Sequence, residues 1–195
     1  MIARSKGHHS AAVSARRRVF VRPPTADDRR EFLEFTRASR RLHGSWVQGP
    51  TDARAFSNYL RRLDGERYVG FLVCLRETGA IVGCINVSEI IRGRLRSAFL
   101  GYSGNIAYAG RGLMTEGLRM VVAHAFTKLK LHRLEANIQP GNLASKALAR
   151  RCGFQKEGFS PRYLKIGGRW RDHERWGLTV EDWRQTRLRG DPHKT

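Results

Sequence analysis

Gly110 and Gly112, one residue apart and directly before an apolar helical pattern, have the makings of a seat for a phosphate group. Lacking a Cβ, both let the backbone turn tightly and come close to a ligand. Leu113, Met114, Leu118, Val121, Val122, Phe126 and Leu129 follow at helical spacing and give one buried face. The unpaired N–H groups at the start of such a helix, together with its dipole, favour a phosphate or pyrophosphate. Ahead of the loop, 98–103 reads as a strand, so the unit is strand, loop, anion seat, helix. A Gly-x-Gly that only turns the chain into a helix is the competing reading, and the rest of the chain must decide.

The other reactive side chains form no pattern. Cys74, Cys84 and Cys152 are odd in number, far apart and set among apolar or small residues, so they read as small core hydrophobes rather than a disulfide framework or zinc site. The seven histidines make no ligand spacing, and no metal is expected. Charge is the exceptional feature: Lys+Arg 37 against Asp+Glu 17 gives a formal +20. This favours anionic partners: a polyphosphate cofactor, an acidic peptide, a ribosome, or RNA met through the basic surface. No apolar run is long enough for a bilayer and no apolar signal core follows the basic N-terminus, so a cytoplasmic protein away from membranes is expected.

These residues must be positioned by elements that the pattern also predicts. Residues 1–16 lack periodicity and read as a disordered basic tail, 17–186 as one domain, and 187–195 as a C-terminal tail. Val19 to Arg22 is a short strand stopped by Pro23 and Pro24. Thr25 then caps a helix burying Phe32, Phe35, Ser39 and Leu42, and Thr51 caps a second with Phe56, Tyr59, Leu60 and Leu63. Strand signals follow at 68–75, 81–91 and 95–103, joined by short turns, and after the glycine helix another at 133–138. Asn142 caps a helix ending near Gly153, and 157–166 with 171–179 form a final hairpin across Gly167 and Gly168. The order predicts an α+β domain on one mixed, mostly antiparallel twisted sheet with helices on both faces.

In that setting Gly110-x-Gly112, followed by Asn142-x-x-Ser145-x-x-Leu148 and Gly153-Phe154, resembles the GNAT acetyltransferases. Asn86-Val87-Ser88 through Arg92-Gly93, Leu100-Gly101-Tyr102-Ser103, and Tyr163 to Gly168 with Trp170-Arg171-Asp172-His173 are similar to the branch that acetylates the N-terminal alanine of ribosomal protein S5. The resemblance spans roughly residues 17 to 185. It implies the GNAT fold, with acetyl-CoA as cosubstrate in a V-shaped opening between the strands at Leu100–Ser103 and Leu134–Ile138. Leu100, Tyr102, Asn142 and Ser145 would meet its pantetheine arm, and Ala109, Gly110, Arg111, Gly112, Leu113, Met114 and Thr115 its pyrophosphate. Two positions depart from the pattern: Ala107 stands where a Gln or Arg usually opens the loop, and Ala149 replaces the usual acid tyrosine.

Acetyl transfer from a thioester to an amine needs a neutral amine, a held carbonyl and a proton for the departing thiolate. An α-amine, with a pKa of about 7.7–8.0 against about 10.4 for lysine, is partly neutral already, so a modest base is enough. The resemblance implies Glu135 as that base and Ser145 as the acid, with Tyr102 an alternative acid or a substrate contact. Trp46 and Trp170 would flank the amine. The implied acceptor is a protein N-terminus, most naturally an alanine of a ribosomal protein. A small-amine acetyltransferase (antibiotic or polyamine) and a non-catalytic ribosome- or RNA-binding relative are the alternatives. The oligomeric state is not legible.

Overall fold

The computed structural model describes residues 17–44, 46 and 49–189; the stretch read as a disordered tail at 1–16 and the last six residues lie outside them. Among the described residues, seven strands form one sheet: β1 (Val19–Arg22), β2 (Val69–Leu75), β3 (Ile81–Ile91), β4 (Ser97–Gly104), β5 (Arg133–Ile138), β6 (Gln155–Ile166) and β7 (Arg169–Thr179). Their spatial order is β1-β2-β3-β4-β5-β7-β6. All neighbours are antiparallel except β4 and β5. The helices are α1 (Arg29–Ala38), α2 (Arg40–His43), α3 (Ala53–Arg62), α4 (Leu113–Thr127), α5 (Leu143–Arg151) and α6 (Val180–Arg189).

Alternation along β2 shows how one strand serves two cores. Phe71 and Val73 join a cluster with Leu118, Val121 and Val122 of α4, whereas Leu72 and Cys74 join Phe32 and Phe35 of α1 and Phe56 of α3. The sheet is therefore covered on both faces, as expected from the α+β reading. Leu118 and Val121 are fully buried, and each side chain so buried contributes about 1.5–3 kcal/mol. α4 lies unusually close to the sheet: a Cβ on Gly117 would sit 2.6 Å from the Val73 methyls.

Several expectations shift by a residue or more. The cap of α3 is Asp52 rather than Thr51; its Oδ1 accepts from the Ala55 N–H at 2.8 Å. Leu42 is 39% exposed, because the short α2 after α1 turns it out of the core. The sequence reading has no counterpart for α6, which occupies residues up to Arg189 and so enters the stretch read as a tail. A start signal was present: the Thr179 hydroxyl donates to Asp182 Oδ2 at 2.7 Å, and the Asp182 N–H donates back to Thr179 Oγ1 at 3.3 Å.

The feature that matters for function is where the sheet comes apart. The parallel ladder joins only 97–99 to 133–135, and beyond Phe99 and Glu135 the two strands separate. On its other edge β4 stays paired with β3 as far as Gly104. One edge of β4 is thus left with open hydrogen-bonding groups, a template for an extended ligand.

Candidate active site

A cavity of about 860 Å³ fills the gap between β4 and β5 and runs to the start of α4. Its size is that of a pocket for a cofactor-sized molecule. It has two halves of different construction.

The first half is made mainly of backbone. Gly110 and Gly112 both have φ +75°, a conformation costly for other residues, and Gly112 starts α4 with no side chain capping the helix. Leading N–H groups of α4 are therefore available to an anion. Ala109, Gly110, Gly112, Leu113, Met114 and Thr115 all line the cavity here. Arg18, Arg119 and Arg151 add positive charge around this seat. Arg18 Nε donates to Glu116 Oε1 at 2.7 Å, which ties up the carboxylate nearest the loop. Arg111 does not line the cavity; its guanidinium lies 5.8 Å from the Tyr108 ring centroid. Lys146 pairs with Glu174 at 3.5 Å and Arg150 lies over Trp176, so these two basic residues of α5 are spent on the sheet, whereas the third, Arg151, lines the cavity.

At the waist, residues distant in sequence meet. The Ser145 hydroxyl donates to Tyr102 Oη at 2.9 Å, and the Tyr102 hydroxyl donates to the Ser145 carbonyl at 3.2 Å. Burial pushes the Tyr102 phenol up to about 12, so it holds its proton at neutral pH. Asn142 caps α5, its Oδ1 accepting from the Ser145 N–H at 3.1 Å, and with Leu100 it lines the same cavity.

The second half is made of side chains from several elements. Trp46 lines it and packs on Gly141, where a Cβ would come within 3.0 Å of the indole. Leu164, Ile166 and His173 of the β6–β7 hairpin form the facing wall, with His43 of α2 at the edge. A bulge between Ser160 and Leu164 re-aims the hairpin; the Arg162 N–H at its bend donates to Asp172 Oδ1 at 2.7 Å. His173 is 1% exposed, and its Nδ1 bonds the Arg171 carbonyl at 2.9 Å. Asn137 Oδ1 is also buried in the cavity lining, without a hydrogen-bond partner among the described residues.

Two residues singled out from the sequence fall elsewhere. Glu135 is not among the cavity-lining residues: it is the last paired residue of the parallel ladder, and its carboxylate is held 3.1 Å from Arg133, which also grips Glu157. Trp170 sits at the hairpin tip, 61% exposed and outside the cavity. His173, Leu164, Ile166 and His43 line the cavity although no pattern of type and spacing in the sequence marks them as site residues. A histidine on a strand otherwise rich in charged residues was the available signal for His173, but its burial depends on the bulge, which the sequence does not spell out.

The profile of the "Acetyltransferase (GNAT) domain" family matches residues 18–155. The probable N-acetyltransferase YjcK of Bacillus subtilis is 34% identical over 164 residues, covering 80% of this chain and 91% of that one. The [ribosomal protein uS5]-alanine N-acetyltransferase of Escherichia coli is 41% identical over 103 residues, 53% of each chain. Among solved structures, Mycobacterium smegmatis RimJ in complex with CoA-disulfide superposes with a TM-score of 0.78 at 29% identity, covering 88% of this chain and 89% of that one. The open β4 edge, the uncapped α4 start and the surrounding arginines suit a long thioester that carries a pyrophosphate at the far end of its arm. The chain belongs to the GNAT family and is an N-acetyltransferase with acetyl-CoA as its cosubstrate.

Proposed function

We propose that this enzyme acetylates the α-amine at a protein N-terminus, in first place an alanine of a ribosomal protein, by direct attack while both substrates are bound. The observation that carries the reading is the charge of the cavity wall. Glu116 is the one carboxylate among its described lining residues, and Arg18 holds it at the phosphate end. The acceptor half offers Trp46, Leu164, Ile166 and His173, a wall for the end of a peptide and not for a polycation, whose ammonium groups would go unpaired. The +20 charge acts in the same direction, repelling polyamines and drawing acidic peptides or ribosomal particles. Similarity to the uS5-alanine enzyme adds the ribosomal acceptor. Such a substrate puts the enzyme in the cytoplasm.

In this reading the Tyr102–Ser145 pair serves the leaving thiolate. The phenol, protonated at neutral pH, gives its proton to sulfur, and the Ser145 hydroxyl steadies the resulting phenolate. Asn142 and Leu100 hold the arm of acetyl-CoA.

The test is thiol release from acetyl-CoA with three acceptors: a peptide copying the S5 N-terminus, the same peptide blocked at its α-amine, and spermidine. Turnover with the free α-amine only is the expected result. Equal turnover with the blocked peptide would move the activity to lysine side chains, and a preference for spermidine would overturn the peptide reading. RNA binding with a steep salt dependence and no turnover of any amine would favour a non-catalytic protein.

A further inference from the structure

We propose that His173 is the catalytic base, its Nε2 taking the proton of the acceptor ammonium. The inference rests on acetyl transfer to an amine and not on which amine is used.

A carbonyl oxygen only accepts hydrogen bonds, so the 2.9 Å contact to the Arg171 carbonyl puts the ring proton on Nδ1. Nε2 then carries the lone pair, on a ring that belongs to the lining of the acceptor half of the cavity. Tyr163 of β6 meets the ring edge-on, centroids 6.2 Å apart, and holds its plane. The other groups in reach are accounted for. Burial is the largest effect on the ring and drives its pKa below the ordinary histidine value, against the Arg171 carbonyl contact and the Asp172 charge on β7, which both raise it, so the ring is neutral at pH 7. Glu174, next along the strand, is occupied by Lys156 at 3.0 Å and Lys146 at 3.5 Å. Across the cavity, His43 spends its Nε2–H on the Gly104 carbonyl at 2.8 Å and is half-buried at the edge. Tyr102 holds its proton, and Glu116 is bound to Arg18. Among the described cavity-lining residues, His173 is the buried neutral base with an open nitrogen.

The step balances without a further reactant. The ammonium gives one proton to Nε2, and the amine lone pair forms the N–C bond to the thioester carbonyl. The C–S bond breaks with its electron pair on sulfur. Sulfur takes a proton from the Tyr102 hydroxyl, which recovers one from the nitrogen of the adduct. The products are amide, thiol and an imidazolium that returns its proton to water.

The test uses H173N, whose side-chain amide still donates to the Arg171 carbonyl but does not titrate. With whichever amine of the panel the wild type uses, kcat should fall about 10²- to 10⁴-fold while acetyl-CoA affinity is kept, which also shows that the variant is folded. The acidic limb of the kcat/KM profile, lying below about pH 6.5 in the wild type, should disappear. Added imidazole should restore part of the activity of H173A. A kcat for H173N within about threefold of wild type would overturn the proposal, as would loss of the acidic limb in E135Q with its survival in H173N. If the wild type turns over none of the amines, the reading of the acceptor fails, and nitrogen NMR of the His173 ring still decides the base. An Nδ1–H tautomer with a pKa below the ordinary value supports it; an Nε2–H tautomer or a raised pKa sinks it.

Discussion

The two ends of the cavity are built by different means. At the anion end the ligand-facing groups are largely main-chain N–H groups, placed by two glycines that are next-nearest neighbours in sequence. At the acceptor end they are side chains of Trp46, Leu164, Ile166 and His173, drawn from a loop and a bulged hairpin more than a hundred residues apart. A site made of backbone depends on local conformation and is robust to the side chains around it. One made of side chains depends on strand register, so a single bulge decides what faces inward. The first should therefore fail when conformation is altered, and the second when one side chain is removed.

Between the ends, Y102F sharpens the contrast with a large effect on kcat alone. Removing the phenol deletes the proton source and the acceptor of the Ser145 hydroxyl at 2.9 Å, yet leaves the α4 start untouched. Stopped-flow kinetics should show kcat reduced about a hundredfold with acetyl-CoA affinity nearly unchanged. A matching loss of affinity would mean that Tyr102 is mainly a cosubstrate contact.

G112V attacks the anion end through conformation alone. Gly112 has φ +75°, where a residue with a Cβ costs about 1–2 kcal/mol, and a β-branched one more. Calorimetry should find acetyl-CoA bound at least about tenfold more weakly, with the acceptor KM little moved. R111A is the contrasting case: that side chain lies on Tyr108 and outside the cavity, so binding should change far less.

What could be read from the sequence follows the same division. The bounds of β1, β3 and β5 and the α4 start are local and periodic, and they match the reading residue for residue. The opening between β4 and β5 is implied by the resemblance, and the ladder ending at Phe99 and Glu135 gives its physical form. Glu135 shows the limit. On a strand with period two, the choice between the cavity and the Arg133–Glu157 network depends on where the strands part, which no single residue type announces. His173 shows the converse: the sequence offers it only as part of the Trp170–His173 stretch, and the bulge at 160–164 and the Arg171 carbonyl fix it in the wall. The polar helix α6 was hidden because its apolar stripe is thin, Trp183 packing on Phe126 as its main anchor.

W46A tests the acceptor end by side-chain removal. The indole fills the space beside Gly141 and contributes wall but no chemistry, so the acceptor KM should rise about tenfold, equivalent to about 1.4 kcal/mol, with kcat and acetyl-CoA affinity close to wild type. A fall in acetyl-CoA affinity instead would show that the two ends are not separable.

The smallest effect belongs to E135Q, and it separates stability from catalysis. Arg133 sits 3.1 Å from Glu135 with side-chain exposures of 24% and 16%, and keeps Glu157 after the substitution. A partly screened pair of this kind contributes about 0.2–1 kcal/mol, and the amide oxygen of glutamine still accepts from the guanidinium, so melting should drop by no more than about 2–4 °C. The pairing of Arg133 also holds the Glu157 carboxyl below its ordinary range, because the guanidinium favours the charged form. A group with a depressed folded-state pKa stabilises above its unfolded value and loses that contribution as pH falls through the folded one. The E135Q variant should therefore retain the acid-side decline in melting temperature that Glu157 contributes below about pH 4.3. It should also retain the separate acidic limb of turnover assigned to His173. If both disappear together in E135Q, the sheet network and the acceptor wall are one electrostatic unit, and the division of the cavity into independent ends gives way.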